Sequence, residues 1–506
     1  MNLIQQENAK PGSRDWQLTR MRLDKSEGIR SSFIEGFCSR QSVKAGEQLD
    51  IFVSAKPAAK FKIEIFRTGY YGGRGARLMT ELGPFDAHEQ PVPPVGERRL
   101  RECKWEKTAT LTIPDDWISG VYLGRLTTLP GTSLLQRDTP AQTQKKSALS
   151  DDSAPDRPAA SEPYWQNYIV FIVRDDRKAD ILLQCSDNTW QAYNRWPDTF
   201  SLYDDGVSPG WTFGPNVDVS FDRPYGKYRQ IYENPQSIGS GEWLCFEFPL
   251  AYWLEQQGYD VSYCSNSDMI TPESGLKCKA FISAGHDEYW DIRQYHSVAA
   301  MRDAGVNLMF LSGNSVCWVT PLLPGTAGNE KRIICRTGPY GGYGRLARAG
   351  GGWGELKDFA GREADIGPDE GLLMGAINVI PVNGGGDWTC ARPDHWIFEG
   401  TGMKKGDSIP GLVGWEYHGD PAQIVGLEVV AEGTAFQGGA VPQHWTATIY
   451  PGPKNNFVFN AATIWWAQGM SKPPGHMPVW SHYSRPHGPD ARVQRITANL
   501  LKKALA

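Results

Sequence analysis

The feature that most restricts the fold is a single change of periodicity along the chain. From about Ser42 to Thr128 the segments QLDIFVSA, KFKIEIFRTG, ATLTIP and GVYLGRLTT alternate apolar and polar residues between Gly and Pro turns. A period of two buries one face of an extended strand, and a series of such short strands predicts an immunoglobulin-like β-sandwich. Residues 131–163, GTSLLQRDTPAQTQKKSALSDDSAPDRPAASEP, carry few large apolar side chains to offset the entropy of ordering. They predict a long mobile loop before a last strand, NYIVFIVRDD.

After Asp180 the pattern becomes strand, crossover, strand. ADILLQCS and a loop-rich stretch lead to FPLAYWLEQQGYDVSYCS, which reads as helix then strand; KCKAFISAG follows as a strand, and IRQYHSVAAMRDAGVNLMFLSG as helix then strand. Repeated strand-helix units predict a largely parallel sheet with helices on both faces. The expected fold class is two-domain, β plus α/β, with the sandwich over 1–176 and the α/β domain over 177–506. Ligands in such sheets bind beyond the carboxyl ends of the strands. SDNTWQAYN, GHDEYW and GNSVCW all fall there, so three polar clusters converge on one rim.

At 506 residues the chain exceeds one ordinary core, in keeping with two domains. The 52 basic and 57 acidic side chains give a formal charge of −5, which offers no basic footprint for nucleic acid or an anionic membrane. No stretch approaches 18 uncharged apolar residues, and the N-terminus lacks a basic start followed by an apolar run, so a cytoplasmic protein is expected. The nine cysteines include no C-x-x-C pair, which points to reduced, buried thiols. A small molecule or a protein is the expected partner, and self-association is compatible with the composition.

At the end of KCKAFISAG the chain places His286, Asp287, Glu288 and Tyr289 together. If it stays extended there, His286 and Glu288 share a face directed into the rim, while Asp287 and Tyr289 point away. A lone acid or histidine at a strand end is more often a capping or structural group, and that is the plainer reading of Asp287. The clusters YGGRGAR, YGGYGR and AGGGWG lack the G-x-G-x-x-G fingerprint and read as turns. RTGYYGG at 67–73 and RTGPYGG at 336–342 echo each other without any periodic repeat. The spaced histidines of HMPVWSHYSRPH, 476–487, read as a loop and only weakly as a second metal site.

An ordered set of motifs carries a resemblance. FRTGYYGGRGARLM (66–79), NTWQAYNRW (188–196), SLYD (201–204), SAGHDEYW (283–290), SGNSVCW (312–318) and FNAATIWWAQG (459–469) together resemble the large-subunit family of N,N-dimethylformamidase. The likeness runs from about Ile34 to the C-terminus, leaving out the low-complexity loop. It implies a catalytic domain like the class I glutamine amidotransferase, flavodoxin-like fold, holding a mononuclear Fe(III) bound by two tyrosines and one glutamate. Carried over, Glu288 is the carboxylate ligand, Tyr193 one phenolate and Tyr203 the other, with Tyr225 of FDRPYGKY in reserve for the second. Asn314 would orient substrate or water, Glu416 of GWEYHG would be the general acid/base, and His286 would lie in or beside the ligand sphere. The implied activity is hydrolysis of the C–N bond of a small, formamide-like amide to carboxylate and amine. The chain is short for that large subunit, and no counterpart of the separate small subunit is evident in it.

The chemistry of such a trio is coherent apart from the name. Phenolate and carboxylate oxygens are hard anionic donors suited to ferric iron, and two tyrosinates at neutral pH require a strong cation, since a free phenol titrates near 10. Two other classes of function stay open on sequence. Cys317 could be the nucleophile of a glutamine-amidotransferase-like hydrolase, although VCW lacks the small residues of a nucleophile elbow. The sandwich and nineteen tryptophans could belong to a carbohydrate- or protein-binding module, although most such rings are core.

Overall fold

The structure, a computed structural model, describes residues 1–21, 28–129, 164–227, 238–349, 356, 359, 365–379, 384–437, 441–475 and 488–506. The low-complexity stretch 131–163 and the histidines of 476–487 lie outside these residues.

The alternating segments form two sheets. One has five strands in the order Ser42–Val43, Gln166–Val173, Gly120–Thr128, Ala59–Thr68 and Ala76–Ala87. The other has three, Glu35–Cys38, Gln48–Ser54 and Ala109–Thr112. Their facing side chains, among them Leu49, Ile51, Val53, Phe61, Ile63, Ile65, Leu126 and Phe171, make one core. The opposite face of the five-stranded sheet is covered too: Phe66, Val121, Leu123 and Ile172 pack with Trp243, Phe248 and Trp253 in a second, larger core. Burial on both sides explains why Gly120–Thr128 is buried at every position and does not alternate.

The second half corrects the fold-class expectation. It contains a nine-stranded sheet in the order Val261–Ser265, Ile181–Cys185, Ala280–Gly285, Asn307–Ser312, Phe457–Asn460, Val441–Pro451, Glu428–Gln437, Gly384–Thr389, Ser408–Gly414. Only the first five strands are parallel to one another; every later pairing is antiparallel. The chain is therefore mostly β, with a large mixed sheet in place of a flavodoxin-like parallel α/β domain. The cause lies in the connections. Parallel neighbours need a crossover, supplied here by Phe248–Gln256 and Ile292–Ala304, whereas antiparallel strands need only a turn. Glu428–Gln437 and Val441–Pro451 are long strands that pair antiparallel with only three residues between them in sequence.

The two halves are tied by a buried ion pair. Arg67, of the first RTG motif, donates from Nη2 to Glu255 Oε1 at 2.8 Å and from Nη1 to Oε2 at 3.2 Å, and both side chains are 0% exposed. Ser119 O accepts from Arg67 Nη2 at 2.9 Å, and Tyr263 Oη and Asn8 Nδ2 donate to Glu255 at 2.9 and 2.8 Å. A bidentate, fully hydrogen-bonded pair tolerates burial, but its members do not tolerate separation. Glu255→Leu is expected to lower stability by about 3–5 kcal/mol, the cost of stranding a buried charge, read from the urea unfolding midpoint. A loss below about 1 kcal/mol would mean that the charge finds water without unfolding. No helix among the described residues is long and apolar enough to cross a membrane.

Candidate metal centre and active site

The carboxyl ends of three parallel strands and one loop from the antiparallel part meet at a buried polar cluster. After Ile181–Cys185 the chain turns into the short helix Asp187–Ala192, every residue of which is buried, and Tyr193 caps its end. Asn266 Oδ1 accepts from Asn188 N at 3.0 Å, and Asn188 Nδ2 donates to Tyr289 O at 2.9 Å, which fixes the helix against the next strand end. The chain then doubles back. Asp204 accepts from Ser201 N at 2.9 Å and from Ser201 Oγ at 2.7 Å, Arg195 pairs with the same carboxylate at 2.8 Å, and Leu202 N donates to Ala192 O at 2.9 Å. This local wrapping explains the S-L-Y-D sequence: it lays Tyr203 on Tyr193, ring centroids 4.9 Å apart.

Ala280–Gly285 delivers His286 and Glu288. Gly285 has φ +70°, and a Cβ there would meet Phe246 Cβ at 2.6 Å, so the strand can bend toward the site only at a glycine. Asn307–Ser312 delivers Asn314, itself at φ 52°. A Cβ on Gly313 would lie 2.3 Å from Glu416 O, so the close approach of this loop to the Glu416 backbone also depends on the missing side chain. Ile464 N donates to that same Glu416 carbonyl at 3.2 Å.

Glu288 is the hub. Its Oε2 accepts from Tyr193 Oη at 2.7 Å and lies 3.1 Å from His286 Nε2. Its Oε1 accepts from Trp318 Nε1 at 2.8 Å and Asn314 Nδ2 at 3.2 Å, and Tyr203 Oη is 3.4 Å away. The two tyrosine hydroxyls are 2.8 Å apart, and Tyr203 Oη also bonds to Tyr289 Oη. On the far side, His286 Nε2 pairs with Glu416 Oε2, and Nδ1 is 4.0 Å from Glu242 Oε2. His286, Glu288, Glu416, Asn314, Tyr193 and Tyr203 are all buried.

Burial shapes the protonation of these groups. It pushes Tyr193 and Tyr203 well above the ordinary phenol value, and the Glu288 carboxylate adds to this, with Arg336 opposing it at Tyr203. Without a cation both phenols therefore stay protonated and donate. Burial opposes a charged His286, but Glu416 and Glu288 outweigh it and hold the imidazole well above its usual value. Burial raises Glu416, while His286 pulls it the other way. His286 Nε2 and Glu416 Oε2 thus face each other as an ion pair, with the net effect on Glu416 upward.

Six of the residues singled out in the sequence come together here, in two overlapping donor groups that share Glu288. His286, Glu288 and Glu416 have ligating atoms within 4.8 Å of one another and could hold a metal ion. Tyr193 presents a further oxygen to Glu288 Oε2, the atom that also faces His286, and Tyr203 presents one to Oε1. Asn314 Oδ1 is buried and, among the described residues, has no hydrogen-bond partner. Tyr225 lies elsewhere, at a small cavity of about 30 Å³ lined also by Phe37, Asp187, Arg223 and Arg332. Asp287 turns away as expected, accepting from Asn266 Nδ2 at 2.9 Å and Ser283 Oγ at 2.8 Å.

Tyr289 does not turn away. The strand Tyr289–Trp290 pairs with Trp318–Val319, and its tyrosine reaches the Tyr203 hydroxyl. Sequence reasoning also missed Trp318, although SGNSVCW contains it, and His418, two residues after Glu416. His418 accepts from Ser315 N at 3.0 Å through Nε2, and its Nδ1 is 2.7 Å from Asn460 Oδ1. Burial pushes it down to about 4, so it is a neutral clamp on the Asn314 loop. Cys317 donates its backbone N–H to Glu288 O at 2.9 Å, and its side chain belongs to an apolar cluster with Leu202, Leu356 and Phe359.

A family model described as N,N-dimethylformamidase beta subunit-like, C-terminal, matches residues 62–480, well over half of the chain, and no curated protein matches it.

Proposed function

The chain belongs to the N,N-dimethylformamidase beta subunit-like family, and from that premise we propose that it is an iron-dependent amidohydrolase that cleaves the C–N bond of a small, formamide-like amide. The observation that carries this reading is the convergence on one buried carboxylate: the hydroxyls of Tyr193 and Tyr203 and the imidazole of His286 all meet Glu288, and Glu416 pairs with His286.

The donor set fits a hard, highly charged cation. Two phenol oxygens and a carboxylate are hard ligands, and neither phenol ionises at neutral pH in this buried place without a cation to displace its proton. Tyr193, Tyr203 and Glu288 would hold mononuclear Fe(III). When bound, the ion would polarise the amide carbonyl and favour the negative charge that develops on its oxygen.

The protein's own groups supply the proton traffic. Glu416 takes a proton from the attacking water as its oxygen adds to the carbonyl carbon. The proton then passes to the amide nitrogen as the C–N bond breaks, giving the carboxylic acid and the amine, and the acid's proton passes to the amine so that they leave as carboxylate and ammonium. His286, shared between Glu416 and Glu288, steadies that proton and fixes which Glu416 oxygen faces the substrate. Asn314 orients the water or substrate through its unpartnered Oδ1 while Nδ2 holds Glu288. The aromatic neighbours Phe246, Trp415 and Trp465 make an apolar wall beside His286 that suits small N-alkyl groups. The beta subunit-like description supports a separate small subunit as partner. Nine buried cysteines without a disulfide suit a cytoplasmic, reducing setting.

Purified protein is expected to contain close to one iron per chain, to be coloured by tyrosinate-to-iron charge transfer, and to release amine from members of a panel of formamides and acetamides. Iron-loaded protein inactive across the whole panel, with occupancy verified by metal analysis, would defeat the amidohydrolase reading.

A further inference from the structure

The tripeptide RTG occurs twice, at Arg67 and Arg336, and the two arginines meet opposite fates. Arg67 is paired with Glu255. Arg336 is as deeply buried, 1% exposed, yet among the described residues no carboxylate forms an ion pair with it. Its Nη2 donates to Leu202 O at 2.7 Å and to Thr212 O at 2.8 Å, the two ends of the loop that begins with Tyr203. Among the described residues its Nε and Nη1 have no hydrogen-bond partner. The guanidinium carbon lies 4.3 Å from the centroid of the Tyr203 ring, 5.1 Å from that of Trp318 and 5.7 Å from that of Phe213.

A full charge in such a place must be balanced by something. Ring faces supply part of the balance through their quadrupoles. The remainder is indicated by where those rings lead: Trp318 Nε1 and Tyr203 Oη lie 2.8 and 3.4 Å from the same oxygen, Glu288 Oε1. The cation stacks on two aromatic systems whose polar ends meet at one oxygen of the hub carboxylate. Arginine suits this better than lysine, because a planar, weakly hydrated guanidinium can stack on rings and bridge two carbonyls together.

We infer that Arg336 is a positioning residue for Tyr203 and the built-in positive charge that tunes the Tyr203–Glu288 side of the centre. This rests on the reading of Tyr203 and Glu288 as iron ligands. Through Leu202 O and Thr212 O it fixes the backbone on both sides of the loop, and so the direction of the Tyr203 hydroxyl. Through its charge, stacked on the ring, it draws electron density from the phenolate oxygen and keeps the bound ion a stronger Lewis acid than two tyrosinates alone would leave it.

The test is spectroscopic, with ferric iron as the probe, on wild type, Arg336→Met and Arg336→Lys. Arg336→Met should move the charge-transfer band to longer wavelength, because the phenolate donates more strongly once the cation is gone. It should also lower kcat by about tenfold or more, the range seen when partners behind a metal ligand are removed, with KM moving less. Arg336→Lys keeps the charge and should hold the band near its wild-type position, even if Arg336→Met fails to fold. An iron-bearing, coloured wild type whose Arg336→Met form keeps both band and kcat overturns the inference alone. A lysine variant displaced to longer wavelength overturns the charge argument whatever the methionine variant does. A wild type that takes up no ferric iron, or shows no charge-transfer band, removes the reading beneath it.

Discussion

Glu288→Gln is expected to give a folded chain that holds no metal and turns over no amide. The carboxylate accepts from Tyr193, Trp318 and Asn314 and faces His286, so every one of its lone-pair directions is in use. A glutamine keeps one acceptor oxygen and turns a donor toward donors, while removing the anionic ligand itself. Removing even an indirect partner of a metal ligand costs about 10–100-fold in affinity, and loss of the ligand should exceed that. The stranded buried donors should also cost about 1–3 kcal/mol. Metal content by mass spectrometry, circular dichroism and a melting curve check this together. Asp287→Asn is the adjacent control: that side chain serves Asn266 and Ser283 and should lower stability with metal retained. Equal metal content in Glu288→Gln and wild type would remove Glu288 from the ligand set.

How far the sequence reached depends on the range of the interaction involved. Strand text with period two is local, and Gln48–Ser54 and Ala59–Thr68 lie where the alternation lies. Sheet direction is not local. The parallel expectation came from helix-bearing crossovers before Ser312, and nothing in the periodicity of EVVAEGTAFQ or VPQHWTATIYP states that these strands extend the same sheet antiparallel. That extension is what brings Glu416 to the rim, since Glu416 follows the last strand of the antiparallel run. At the site, His286 and Glu288 were legible because they stand two apart after an apolar strand. Tyr289 was misjudged by the same rule: the chain enters a new short pairing with Trp318–Val319 and leaves the extended path that the rule assumes. Arg336 was hidden more deeply. It reads as part of a glycine turn, and only the folded chain separates it from its twin at Arg67, which has an acid where Arg336 has three aromatic rings.

Glu416→Gln should produce the opposite dissociation: metal and fold retained, turnover lost by about 10²–10⁴-fold, the range for removing a positioned general acid/base. Among the described residues the Glu416 side chain pairs with His286, whereas Tyr193 and Tyr203 reach Glu288 directly, so its replacement leaves the proposed ligand trio intact. The isosteric amide preserves packing in a buried position but cannot take a proton from water. The loss should therefore appear in kcat and in kcat/KM to a similar extent, since the interaction is made only as the proton moves. The charge-transfer band of the iron-loaded variant should stay close to wild type. That separates it from Glu288→Gln, which should have no band, and from Arg336→Met, which should have a displaced one. The geometry also carries a rival assignment, in which His286, Glu288 and Glu416 hold the ion together and the tyrosines are bystanders. Under that arrangement Glu416→Gln would lose metal as Glu288→Gln does, and Tyr193→Phe would keep both metal and activity. The comparison of these three variants by metal content and colour therefore decides which groups around Glu288 bind the ion and which move the proton.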